Sequence, residues 1–314
     1  RRMTMDYKAF VEEQIASIRS AVGDHPAINA LSGGVDSSVV TVLGHRSLGK
    51  QLKTVFIENG LMRKDEPERI VKLFAGIGIP VQLVDSRADF LNALKGLTDP
   101  EEKRNAITKT FYEEVFGRLV REIGAKFLFH GTILTDIEET VAGIKRQHNI
   151  LVQVGIDPEK EYGYQVLEPL KTLRKDGVRE VARALGLPAE IAQRIPFPGP
   201  ALATRIVGEV TEERLATVRE ATAIVEEELQ ESGAFQYMAV LLNDRATGII
   251  NGKRDFGQII VVRCIHSVDA RTATAVELSW KKLQRICERV TAIKGVNRCL
   301  YDLTPKPPAT IEYI

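Results

Sequence analysis

Four short apolar runs constrain the fold of this chain more than any other feature: AINAL (27–31), LKTVFIE (52–58), IPVQLVD (79–85) and AKFLFH (125–130). Each is nearly continuous in apolar residues rather than alternating, the pattern of a strand covered on both faces. Helical segments separate them. Residues 6–22 carry Phe10, Val11, Ile15, Ile18 and Val22 at helical spacing ahead of the first run, and further helices are expected over 37–48, 65–77, 86–94 and 101–123. Strands of this kind alternating with helices predict an α/β fold, a parallel twisted sheet with helices on both faces.

The pattern changes near residue 195. IPFPGPALA (195–203) places three prolines in five positions, which stops any helix and reads as a rigid connector. Beyond it the expectation is a strand at RIVGEV (205–210), a helix over 211–230, strands at 236–242 and 257–264, a helix over 273–291 and a strand at 297–302. The chain therefore divides into an α/β domain, 1–195, and a smaller α+β domain, 196–314. Both lengths are ordinary for domains.

Composition excludes some classes of function. With 43 basic and 42 acidic residues the net charge is +1, which argues against broad nucleic-acid binding. No apolar run reaches the ~18–20 residues of a membrane span, and RRMTMDYKAF lacks a signal-peptide core, so a cytoplasmic protein with no membrane role is expected. Cys264, Cys287 and Cys299 form no CxxC pair and read as reduced, packed thiols. The five histidines, at 25, 45, 130, 148 and 266, are too scattered to suggest a metal site.

The chemistry concentrates in SGGVDSS (32–38), between the first strand and the helix that follows. Ligands of open parallel sheets bind at the carboxyl ends of strands. Gly33 and Gly34 permit close backbone approach and positive φ, so successive N–H groups can form an anion nest. The helix N-terminus adds partial positive charge, and Ser32, Ser37 and Ser38 add hydroxyls, which together read as a phosphate cradle. Asp36 would repel a phosphate unless a divalent cation lay between them, so it is expected to be a Mg²⁺ ligand. The plainer alternative is a Gly-rich turn with Asp36 and Ser37 as helix caps. A second glycine pattern, GHRSLGKQ (44–51), fits GxxxxGK but carries Gln51 where a P-loop needs Ser or Thr, and is set aside.

Residues 32–38 resemble the pyrophosphate loop, SGGxDS, of the ATP pyrophosphatase family, whose members adenylate a substrate and release pyrophosphate. Further stretches narrow the resemblance. FIENGLMRKDE (56–66) resembles the (E/D)NGL segment that lies beside adenosine, and HGTILTDIEET (130–140) the QGTxxxDxxES segment of GMP synthetases. GIKRQHNI (143–150) is similar to their IKSHHNV lid, RIPFPGPALATRIVGEV (194–210) to RxPFPGPGLxxRxxGEV, and YDLTPKPPATIEYI (301–314) to YDxTxKPPxTIEWE. Three stretches depart from the pattern: Arg146 and Gln147 in the lid, Ala201 for a glycine, and IEYI for IEWE.

The resemblance implies a reaction. The O2 of xanthosine monophosphate (XMP) attacks the α-phosphorus of ATP, pyrophosphate leaves, and ammonia displaces AMP to give GMP. The single-chain enzymes of this resemblance carry an amidotransferase domain with a cysteine nucleophile, and here no cysteine precedes Cys264. The resemblance therefore implies the synthetase subunit of a two-subunit enzyme, with ammonia supplied by a separate glutamine amidotransferase subunit; an excised synthetase portion would read the same. A related adenylating amidating enzyme, such as an NAD synthetase, is the alternative. The implied ATP contacts are residues 32–38, Val35 included, with Asn59 and Gly60 after the second strand and Gly131 and Thr132 after the fourth. Turn formation explains Asn59–Gly60 equally well. Lys145 and His148 are implied in the lid, and Asp136 as a lid anchor or second Mg²⁺ contact. For XMP the implied contacts are Pro198, Gly199, Pro200, Arg205, Lys306, Thr310, Ile311 and Glu312. Homodimerisation through the second domain is also implied.

Overall fold

The computed structural model describes residues 5–141, 163–192 and 194–314. By packing, the chain divides into two units, one of Arg1–Glu58, Pro67–Ser86 and Thr108–Arg194, the other of Asn59–Glu66, Arg87–Ile107 and Ile195–Ile314.

The first unit is built on five parallel strands: β1 (Ala27–Ala30), β2 (Leu52–Glu58), β3 (Gln82–Asp85), β4 (Phe127–Phe129) and β5 (Gln165–Leu167), in the order β3-β2-β1-β4-β5. Steps from β1 to β2 and from β2 to β3 run one way along the sheet, and those from β3 to β4 and β4 to β5 run the other. Right-handed crossovers in opposed directions carry their helices to opposite faces. The sequence order therefore reverses at β1, between β2 and β4, which makes the carboxyl end of β1 the topological switch point.

Among the described residues, eight helices precede residue 185: α1 (Tyr7–Val22), α2 (Val35–Leu48), α3 (Glu66–Gly76), α4 (Arg87–Leu94), α5 (Pro100–Lys109), α6 (Gly117–Ile123), α7 (Leu134–Val141) and α8 (Lys175–Ala184), with α4 and most of α5 belonging to the second unit. A single turn, α9 (Ala189–Ala192), follows. The stripe read from the sequence in α1, Phe10, Val11, Ile15, Ile18 and Val22, is the buried one. α2 is buried along most of its length through Val39, Val40, Val42 and Leu43, packing against α1 and α8. The expected helix over 101–123 is continuous but changes to π geometry at Thr110–Phe116. The strand expected at 79–85 is confined to β3, beginning two residues after Pro80, which has no N–H for a ladder. β5 and α8 had no counterpart in the sequence reading.

In the second unit, α10 (Glu212–Leu229) and α11 (Trp280–Thr291) pack beside a sheet of β6 (Gln236–Ile250), β7 (Lys253–His266), β8 (Thr274–Ala275) and β9 (Val296–Tyr301). β7 pairs antiparallel with β6 and β8 and parallel with β9. β6 and β7 form one long hairpin, well beyond the strands expected at 236–242 and 257–264. The expected helix over 273–291 is shorter because β8 occupies 274–275 and Ser279 caps α11, its hydroxyl accepting from Lys282 N at 3.2 Å.

The strand expected at RIVGEV does not form. Ala201–Arg205 is a 3₁₀ turn, and only the Ile206–Leu241 bridge joins the segment to a sheet. The buried Lys103 and the half-buried Arg214 take its carbonyls instead. Lys103 Nζ donates to Ile206 O at 2.8 Å and Gly208 O at 2.9 Å. Arg214 donates to Val207 O at 2.8 Å and also to Glu209 O. Four consecutive carbonyls are thus satisfied without a ladder, as buried backbone requires.

Candidate active site

The loop after β1 begins while Leu31 N still donates to Val55 O at 2.8 Å. Gly33 then takes φ +80°, and a Cβ there would lie 2.6 Å from Arg194 Nη1 and 3.2 Å from Ile70. Arg194 donates to Gly33 O, which fixes the turn. Gly34, in extended conformation, is the N-cap of α2 and offers no side-chain acceptor. Asp36 and Ser37 do not act as caps, so the capping alternative fails. The first-turn N–H groups of α2 keep their capacity for an external anion.

The hydroxyls are organised among themselves. Ser32 Oγ and Ser37 Oγ lie 2.9 Å apart, Ser37 Oγ donates to Gly34 O at 3.1 Å, and Ser32 N donates to Ser37 Oγ at 3.2 Å. Ser38 is fully buried, and its hydroxyl has no partner among the described residues. Val35 is buried beneath the turn.

Asp36, in the first turn of α2, carries the charge of the site. Its Oδ2 accepts from Lys175 Nζ at 2.6 Å, while its Oδ1 is buried without a hydrogen-bond partner among the described residues. Burial pushes the carboxyl above its ordinary range. Lys175, by charge and hydrogen bond, and Arg179, by charge, pull it down without cancelling that effect, and Asp136 adds to the rise. Lys175 and Arg179 sit one turn apart at the start of α8, and Arg179 Nε is buried with no partner among the described residues. Sequence reasoning missed both. The available signal was the cluster Arg174, Lys175 and Arg179 at a helix N-terminus, where the macrodipole disfavours cations.

The loop after β4 packs onto this turn. A Cβ on Gly131 would stand 3.4 Å from Asp36 Cβ and 3.5 Å from Ser37 N. Thr132 donates from Oγ1 to Glu168 Oε1 at 2.6 Å and lies 3.1 Å from His130 Nδ1. Asp136 Oδ2 accepts from Ile133 N at 3.0 Å, a contact at the start of α7. Lys145 and His148 lie outside the described residues.

The remaining sequence-derived candidates belong to the second unit. Asn59 follows β2 directly, and its Oδ1 accepts from Leu61 N at 2.9 Å to close an Asx turn. Gly60 continues that turn at φ +76°, its carbonyl accepting from Arg219 at 2.6 Å. In the connector, Pro198 O accepts from Ala201 N at 3.0 Å, closing a tight turn through Gly199 and Pro200.

Phe197 lies between two guanidinium groups, Arg63 at 4.4 Å and Arg205 at 4.9 Å from its ring centre. Arg205 is fully buried and donates to Glu312 from Nε at 3.3 Å and from Nη2 at 3.2 Å. Gln236 adds a bond to Glu312 at 2.6 Å. The structure thus brings Arg205 and Glu312 together. It also fixes Thr310 and Ile311 through their carbonyls, which accept from the buried Arg263 at 2.8 and 3.2 Å. Lys306 donates to Ala270 O at 2.7 Å. Arg63, Gln236 and Arg263 were not anticipated. Each stands far in sequence from the residues it orders, so no spacing reveals it.

Among the described residues, no group of three or more His, Cys, Asp or Glu side chains is arranged to hold a metal ion. Mg²⁺ does not need one, since one or two carboxylates with waters and phosphate oxygens suffice. The unpartnered Oδ1 of Asp36 fits that role.

Comparison with known proteins gives the same outline. The family model described as GMP synthase C terminal domain matches residues 223–313, and that described as Asparagine synthase matches residues 14–132. The B subunit of the glutamine-hydrolyzing GMP synthase of Archaeoglobus fulgidus is 50% identical over 310 residues, covering 98% of this chain and 100% of the relative. Its counterpart in Methanopyrus kandleri is 49% identical over 317 residues, covering 98% of this chain and 99% of the relative. A solved NH3-dependent NAD synthetase from Campylobacter jejuni, in complex with the nitrate ion, is 16% identical with a TM-score of 0.48, covering 60% of this chain and 78% of that one. The chain belongs to the family of glutamine-hydrolyzing GMP synthase B subunits.

Proposed function

We propose that this chain is the ATP-dependent synthetase subunit of a GMP synthase, using ammonia from a separate glutamine amidotransferase subunit. In this reading XMP O2 attacks the α-phosphorus of ATP, pyrophosphate departs, and ammonia replaces AMP at C2. The observation that carries the reading is the turn at Ser32–Ser38: an uncapped helix N-terminus, three hydroxyls and a carboxylate with one buried, unpartnered oxygen at the switch point of a parallel sheet. Family membership at about half identity over nearly the whole chain supports the choice of substrates.

The residues divide the work. The first-turn amides of α2, with Ser32, Ser37 and Ser38, hold the pyrophosphate in line and stabilise its growing charge, which is most of what such a transfer needs. Lys175 and Arg179 supply positive charge on the same side as Asp36. Asp36 would hold Mg²⁺, which neutralises phosphate charge when bound. Asn59, Gly60, Gly131 and Thr132 are assigned to adenosine, and Lys145 and His148 to a lid that excludes water from the adenylyl intermediate. Pro198, Gly199, Pro200, Arg205, Lys306, Thr310, Ile311 and Glu312 are assigned to XMP. Dimerisation through the second unit belongs to the same reading.

Neither Cys264 nor Cys299 is poised to hydrolyse glutamine. Burial pushes the Cys264 thiol up to about 11 and the Cys299 thiol up to about 12, away from the thiolate that attacks. The test is pyrophosphate release by the purified chain with ATP, Mg²⁺ and a panel of acceptors. XMP-dependent release with GMP formation on ammonium, but not on glutamine, is expected. Release only with deamido-NAD would overturn the substrate assignment, and glutamine-dependent synthesis would overturn the separate-subunit assignment.

A further inference from the structure

We propose that Lys175 is a resident counter-cation of Asp36 that a divalent metal must displace, so that lysine and metal compete for one carboxylate in the nucleotide-free protein. The inference rests on the reading of Asp36 as a metal ligand. One oxygen of that carboxylate is held by Lys175 Nζ at 2.6 Å, while the other is buried and has no partner among the described residues. A dication bound to Oδ1 would stand within a few ångströms of the ammonium, close enough for strong like-charge repulsion in a partly buried site.

The other charged groups acting on Asp36 are Arg179 on α8 and Asp136 on α7. Arg179 adds to the repulsion and Asp136 opposes it. Of the two cations only Lys175 contacts the carboxylate, and its side chain is 45% exposed at the end of a flexible four-carbon stem. It can therefore swing away without disturbing α8. The ion pair gives the half-buried carboxylate a counter-charge before the metal arrives, and it sets a threshold against metal binding without phosphates. Once released, the ammonium remains beside the first turn of α2, where an arriving anion would receive it.

Mn²⁺ binding to the nucleotide-free protein at pH 8, read by loss of the free-ion electron paramagnetic resonance signal, tests this without turnover. Lys175→Met should bind Mn²⁺ at least about tenfold more tightly than the wild type, and Lys175→Arg should keep the wild-type affinity. Lys175→Gln provides a second neutral variant, and unchanged circular dichroism excludes misfolding. In the double variant Lys175→Met/Asp36→Asn the gain should vanish. Equal or weaker Mn²⁺ binding by both neutral variants, with Asp36→Asn abolishing binding in the presence of ATP, would overturn the competition and leave Asp36 as the ligand. Undiminished binding by Asp36→Asn with ATP present would overturn the metal assignment itself.

Discussion

Gly33 shows how one residue ties the fold to the site. At φ +80°, with Arg194 and Ile70 closing on the missing Cβ, only glycine is unstrained. Gly33→Ala should cost about 1–2 kcal/mol in urea unfolding and raise the KM for ATP about tenfold or more. Asp36→Asn retains the shape of the side chain but cannot supply a charged metal ligand. It should leave the unfolding midpoint within a few degrees of wild type and abolish pyrophosphate release, and a near-normal rate would remove Asp36 from the metal site. Ala201 is the opposite case, an alanine at φ +54° where the resembling motif has glycine. Ala201→Gly should stabilise the protein by about 0.5–1 kcal/mol, relief of strain outweighing the added entropy of the unfolded chain. The glycines and Asp36 were legible in the sequence because their chemistry is local. Lys175 was not, since its partner lies 139 residues away.

Segment 205–210 marks the limit of reading periodicity at the level of elements. Its β-branched residues Ile206, Val207 and Val210 read as a strand, yet its carbonyls are bound by Lys103 and Arg214, so no neighbouring strand is needed. Lys103 is also the clearest pH probe in the second unit. Burial lowers its ammonium to about 8 from 10.5, with repulsion from Arg214 adding to the effect and Asp99 opposing it. Between those values the unfolded chain holds a proton that the folded chain has released, so stability rises with pH through the window. Lys103→Met lacks the group. Denaturant titrations should therefore show the wild-type stability minus that of the variant growing by up to about 3 kcal/mol from pH 7 to pH 10.5. A difference independent of pH would mean that Lys103 is not held in this way. The helix expected over 273–291 failed for a related reason. Residues 273–279 have helical composition, but β8 and the Ser279 cap take the backbone first.

For the whole molecule, the continuous apolar runs carried most of the information. Parallel strands buried on both faces leave that signature, and four of the five sheet strands of the first unit were read from it. β5 escaped because three residues, QVL, are too few to show any pattern. The strand order escaped because register and neighbour choice are tertiary. The reversal at β1 nevertheless explains why SGGVDSS and the loop containing Gly131 meet, since they follow adjacent strands on either side of the switch point. The central claim is that this site activates an oxygen of XMP by joining it to the α-phosphorus of ATP. XMP labelled with ¹⁸O at C2, turned over with ammonium and analysed by ³¹P NMR, tests that bond directly. The label is expected in the phosphate of AMP, seen as an isotope-shifted resonance. Unlabelled AMP, with the label lost to water or found in pyrophosphate, would contradict it.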